Sequence, residues 1–144
     1  MQTKDYRTIL DDSTEYEPYF WNLNNVIENV WRGEPLFITE GVLNALTFKR
    51  LYPNVSVVAS TSKSIVRIQA KFIKRFVKHV VLLFDKDVKK NVVPILDVFT
   101  EVLDWGRSGG IDLRKINDLN DLLVTQGEFR TKRFLENQLL VLRK

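Results

Sequence analysis

The sequence predicts an α/β fold, a mostly parallel four-stranded sheet flanked by helices. Two observations predict it. Four short apolar runs, at Leu36–Thr39 and over residues 55–60, 79–84 and 110–113, are bounded by turn or charge signals in the manner of buried strands. The segments between them carry apolar residues at helical spacing and are long enough to serve as right-handed crossovers between parallel strands.

Taken in order, Phe20, Leu23, Ile27 and Trp31 place an amphipathic helix ahead of the first strand, packed on the sheet. The strand Leu36–Thr39 leads into a helix at Val42–Leu51. Its Leu43, Ala45, Leu46 and Leu51 are expected to form one buried face, and Pro53 stops it. The strand over 55–60 leads into a helix over 64–78. There Ile65, Ile68, Phe72 and Phe76 form an apolar face, while Arg67, Lys71, Lys74, Arg75 and Lys78 form a basic one. After the strand over 79–84, a helix is expected over 91–105, with Pro94 tolerated in its first turn. The Gly-rich stretch 105–110 lacks the Lys-Ser/Thr of a phosphate-binding loop and is expected to be a turn before the fourth strand, 110–113. A short helix over 119–124 breaks at Gly127, and a C-terminal helix follows over 128–143. The expected organisation is a single domain: an N-terminal extension (1–35), a core (36–127) and a C-terminal helix (128–144). The opening methionine and the closing helix suggest a complete chain.

Composition narrows the chemistry. The 144 residues contain no cysteine and a single histidine, His79. That excludes disulfides, Cys/His zinc sites and thiol nucleophiles, and leaves little room for a Ser-His-Asp mechanism. Metal chemistry must then rest on carboxylate oxygens, which suit a hard cation such as Mg²⁺. The net charge of +4 is unevenly spread. Residues 1–35 hold seven acidic and three basic groups, whereas residues 61–90 hold nine Lys/Arg against Asp85 and Asp87. A basic middle fits a polyanion, although a solvated helix face gives the same count. No apolar run approaches the roughly 20 residues of a membrane span, and the N-terminus carries no signal pattern. A cytoplasmic location away from membranes is therefore expected.

Ligands of an open parallel sheet sit outside the carboxyl ends of its strands. Glu40 and Gly41 follow the first strand, the glycine letting the chain turn directly into a helix. Asp85 and Asp87 follow the third, alternate positions that share a direction if the extended backbone persists. The polar loop from Ser60 to Lys63 follows the second strand, and a further acidic cluster with Asp118 and Asp121 follows the fourth. Asp-x-Asp also caps helices, and capping is the better explanation for Asp118 and Asp121. The convergence of Glu40, Asp85 and Asp87 at one sheet edge marks them as the candidate site.

These residues resemble a family. Glu40-Gly41-x-x-Asn44-Ala45, followed some 45 residues on by Asp85-x-Asp87, resembles the TOPRIM domain of primases, topoisomerases, OLD-type nucleases and small ribonucleases. Val57-Val58-Ala59-Ser60 is similar to the primase form of the second strand, and the 117–123 stretch to that of phage primase-helicases. The resemblance runs from about Gly33 to Gly127 and implies a Rossmann-like sheet. It implies Glu40 as metal ligand or general acid/base, and Asp85 and Asp87 as holders of Mg²⁺ (Mn²⁺ being the alternative). Asn44 and Asn120 stand where primases carry acids, and Asp87 is followed by Val88-Lys89-Lys90 rather than by a glycine-containing turn.

The expected function is primase-like, Mg²⁺-dependent phosphoryl transfer on single-stranded DNA or RNA, with Lys63, Arg67, Lys71 and Lys86 meeting the nucleic acid. A replication partner such as a helicase or polymerase is implied. The cysteine-free chain has no zinc ribbon to read template, no Walker loop, and no room for a topoisomerase gate. A small nuclease and a catalytically silent binding module are the alternatives.

Overall fold

The computed structural model describes residues 19–61, 65–87 and 98–143. Its elements are α1 (Leu23–Trp31), β1 (Leu36–Thr39), α2 (Val42–Leu51), β2 (Ser56–Ala59), α3 (Arg67–Phe76), β3 (His79–Leu83), β4 (Phe99–Val102) and α4 (Leu119–Glu136), followed by a 3₁₀ turn at Leu140–Leu142. The strands form one parallel sheet in the order β2-β1-β3-β4, with Leu36 opposite Ser56 and Val80, and His79 opposite Phe99. All four residues of β1 are buried, as are all four of β2, because helices cover both faces of the sheet.

Alternation along the strands divides the interior in two. Leu36, Ile38, Val58, Val80 and Leu82 point to one side, against Leu23, Val26 and Val30 of α1 and Phe72 and Ile73 of α3. Phe37, Val57, Val81 and Leu83 point to the other, against Ala45, Phe48 and Leu51 of α2 and Leu119, Leu122, Phe134 and Leu135 of α4. Each fully buried side chain of this size contributes about 1.5–3 kcal/mol. The outer edge of β2 is closed by an antiparallel bridge, in which Trp21 N–H donates to the Ala59 carbonyl at 2.9 Å and Ala59 N–H to the Trp21 carbonyl at 3.3 Å.

Three expectations are corrected. The fourth strand is Phe99–Val102 and not 110–113, so the helix expected over 91–105 does not extend across residues 99–102; positions 91–97 lie outside the described residues. Glu101 is the cause. Its carboxylate is buried because it meets His79 Nε2 at 2.8 Å and accepts from Leu140 N–H at 2.6 Å, which lets a charged residue occupy the inner face of an edge strand. The 110–113 stretch instead tucks Ile111 and Leu113 under the sheet as an irregular segment, entered through Gly109 and Gly110 at φ 61° and 90°. Secondly, Leu43 and Leu46 are 60% and 51% exposed: α2 turns Asn44, Ala45, Thr47, Phe48 and Leu51 inward. Thirdly, Gly41 has φ −112° and ψ 161°, extended backbone open to any residue, so the turn into α2 does not require glycine there. Gly127, at φ 82°, does break α4 at the expected place.

Candidate metal centre

β1 and β3 are neighbours at the centre of the sheet, yet the chain leaves them in opposite directions, β1 towards β2 and β3 towards β4. This is the switch point at which a crevice opens beyond the strand ends. Thr39 pairs with Leu83 as the last register of the two strands, so Glu40 and Asp85 emerge side by side. Hydrogen bonds continue past the strands and fix the Glu40 backbone: Ser60 N–H donates to the Thr39 carbonyl at 2.9 Å and Thr61 N–H to the Glu40 carbonyl at 2.8 Å. Beyond β3, Trp105 Nε1–H donates to the Phe84 carbonyl at 2.9 Å and Lys86 N–H to the Asn117 carbonyl at 2.7 Å.

One carboxylate oxygen from each of Glu40, Asp85 and Asp87 lies within 4.8 Å of the others. Glu40 and Asp85 are half-buried and Asp87 is exposed. The Glu40 Oε1 atom is buried without a hydrogen-bond partner among the described residues. Burial, then the adjacent Glu40, and then Asp118 and Asp87 push the Asp85 carboxyl from 3.8 up to about 7. Crowded anions and an orphaned oxygen are what a divalent cation relieves, and an all-oxygen donor set suits Mg²⁺.

The sequence family described as Toprim-like matches residues 37–91, a span that opens in β1 and contains all three carboxylates. Over that span the chain is similar to the Toprim-like family. Its fold is similar to the crystal structure of the primase fragment of the bacteriophage T7 primase-helicase, with a TM-score of 0.54 and 17% identity over 74% of this chain. The chain spans 44% of that fragment. No curated protein sequence matches it significantly.

The remaining candidates fall into separate roles. Asp118 caps α4, its side chain accepting from Asp121 N–H at 2.8 Å, while Asp121 accepts from Asn117 N–H at 3.0 Å. Asp118 still lies near enough to act on Asp85. The Lys86 ammonium donates to the Leu113 carbonyl at 2.5 Å, which ties down the loop that bears Asp85 and Asp87. Arg67 and Lys71 are exposed on α3, and Lys63 lies outside the described residues. The first turn of α3 is held beside the strand ends by Gln69, whose amide donates to the Ser60 carbonyl at 3.2 Å and to the Tyr19 carbonyl at 2.6 Å.

What sequence reasoning missed is the amide relay behind the carboxylates. Asn44, 5% exposed, donates from Nδ2 to Asp85 Oδ1 at 3.1 Å and accepts from Asn120 N–H at 3.0 Å. Thr47 Oγ1 donates to Asn120 Oδ1 at 3.2 Å. The signal available was the joint appearance of asparagine at both positions where acids were expected. No helix among the described residues is long and apolar enough to cross a membrane.

Proposed function

We propose that the Toprim-like domain holds Mg²⁺, or Mn²⁺ in its place, between Glu40, Asp85 and Asp87 for primase-like phosphoryl transfer on nucleic acid, as a component of a replication assembly. The observation that carries this reading is the buried Glu40 oxygen, unpartnered among the described residues, in a residue that belongs to a cluster of like charges at the sheet's switch point. A bound Mg²⁺ supplies charge for phosphate oxygens and for an attacking oxygen. Glu40, Asp85 and Asp87 hold the cation in this reading, and Glu40 also takes the proton from the attacking hydroxyl. Gly41 precedes helix α2 without a side-chain cap, and among the described residues no atom beyond its chain neighbours lies within 4 Å of where a Cβ would stand, so a phosphate can approach the helix N-terminus. Lys63, Arg67, Lys71 and Lys86 supply sequence-independent contacts to a single-stranded DNA or RNA backbone. A helicase or polymerase is the partner in this reading.

A second reading, a silent binding module, draws support from Asn44 and Asn120, neutral groups beside the carboxylates. The test incubates the chain with Mg²⁺ or Mn²⁺, nucleoside triphosphates and labelled single- and double-stranded DNA and RNA. Longer products support primase chemistry, shorter ones a nuclease, and binding without turnover the silent module. Glu40→Gln and Asp85→Asn should each abolish product, and product surviving both would sink the metal-site assignment.

A further inference from the structure

Asn44 is buried between two partners that together fix its orientation. Its Nδ2 faces a carboxylate oxygen of Asp85, which can only accept, and its Oδ1 faces the Asn120 N–H, which can only donate. The side chain therefore spans the crevice, from the loop after β3 to the first turn of α4. That turn is fixed in its own right by the Asp118 and Asp121 caps and by the Thr47 hydroxyl on Asn120. The link does two things. It holds one oxygen of Asp85 in a hydrogen bond, which restricts how the carboxylate can rotate beside Glu40 and Asp87. It also places a neutral amide, and not a further carboxylate, directly against Asp85.

We propose that Asn44 is a positioning residue that orients Asp85 and, by being neutral, limits the centre to a single divalent cation. The inference rests on the metal-centre reading above and deepens it. Groups that hold a metal ligand in place typically account for 10–100-fold in metal affinity. Asn44→Ala removes both hydrogen bonds, whereas Asn44→Asp keeps an acceptor for Asn120 N–H, loses the donor to Asp85 and adds a charge. The two substitutions thus separate the orienting role from the charge role.

The experiment counts Mn²⁺ bound to the full chain by calorimetry and by the free-ion paramagnetic resonance signal, with thermal midpoints recorded for every variant. The expected results are one ion for the wild type, affinity weakened about tenfold or more in Asn44→Ala, and a second ion in Asn44→Asp. Asn44→Ser, which keeps a small polar group in the same space, should lose affinity as the alanine variant does and serves in its place if the alanine variant fails to fold. A purely structural role predicts lower midpoints with unchanged affinity and stoichiometry, and that result overturns the proposal, as does a wild type that binds two ions. If the wild type binds no ion, or Glu40→Gln keeps full affinity, the metal centre itself is refuted. If Glu40→Gln abolishes binding while the Asn44 variants match the wild type, only the role of Asn44 falls.

Discussion

Asp85 sits in an environment that opposes its own charge, and this has a measurable consequence for folding. Its carboxyl titrates near 7 in the folded chain, against 3.8 for the ordinary group, first because of burial and then because of Glu40. The folded state therefore holds a proton that the unfolded state has lost between these two values. The associated stability is fully present below pH 3.8 and disappears as pH rises through 7. Asp85 is about half exposed, and solvent screening reduces the effect to on the order of 1–2 kcal/mol, or about 2–6 °C in midpoint. Calorimetry in chelator should find the wild type less stable relative to Asp85→Asn at pH 8 than at pH 5, the gap closing near pH 4. Millimolar Mg²⁺ should restore the wild type at pH 8 and leave Asp85→Asn unchanged. A wild-type midpoint that tracks Asp85→Asn across this range would count against the clustered geometry.

At the level of elements, α2 offers a sharp contrast between what its sequence suggests and how it packs. Leu46 is half exposed and Phe48 fully buried, so Leu46→Ser should cost less than about 0.5 kcal/mol, while Phe48→Ala should cost about 3–5 kcal/mol in denaturant unfolding. The apolar spacing of α2 admitted either face, and only the position of α4 alongside it decides which one is covered. The same limit explains β4. Its four residues include Glu101, and the partners that make that burial tolerable, His79 and Leu140, come from 22 and 39 positions away. Nothing in the local pattern announces such a contact, whereas the largely apolar runs of β1, β2 and β3 needed no distant partner to be legible. Glu101→Ala should cost about 1–3 kcal/mol, because it strips the Leu140 N–H and His79 of a buried acceptor. A loss within error would mean that the edge strand is held by backbone pairing alone. At the candidate site, Glu40, Asp85 and Asp87 were legible because each lies within four residues of a strand's carboxyl end. The Asn44 relay was not, because it joins segments 41 and 76 residues apart.

Across the whole molecule, the basic face of α3 has a polarity that composition could not show. The helix runs from the carboxyl edge of the sheet, where Gln69 reaches the Ser60 carbonyl, back to the amino edge where β3 begins. Arg67 and Lys71 therefore stand nearer the carboxylate cluster than Arg75, whose guanidinium lies 5.5 Å from the centre of the Phe76 ring. If a nucleic-acid strand is drawn to that centre, the contribution of these cations must fall with distance from it. Each phosphate contact on a single strand adds about −0.7 to the slope of log affinity against log salt. Arg67→Ala and Lys71→Ala should each weaken oligonucleotide binding and flatten that slope by about this amount, uniformly across sequences. Arg75→Ala should change the slope by much less. Equal losses from both ends of α3 would mean that only the domain's overall field attracts the strand. Unchanged slopes in all three would reduce the basic face to a solvated helix surface and leave the carboxylate centre to bind its substrate through metal and helix N-terminus alone.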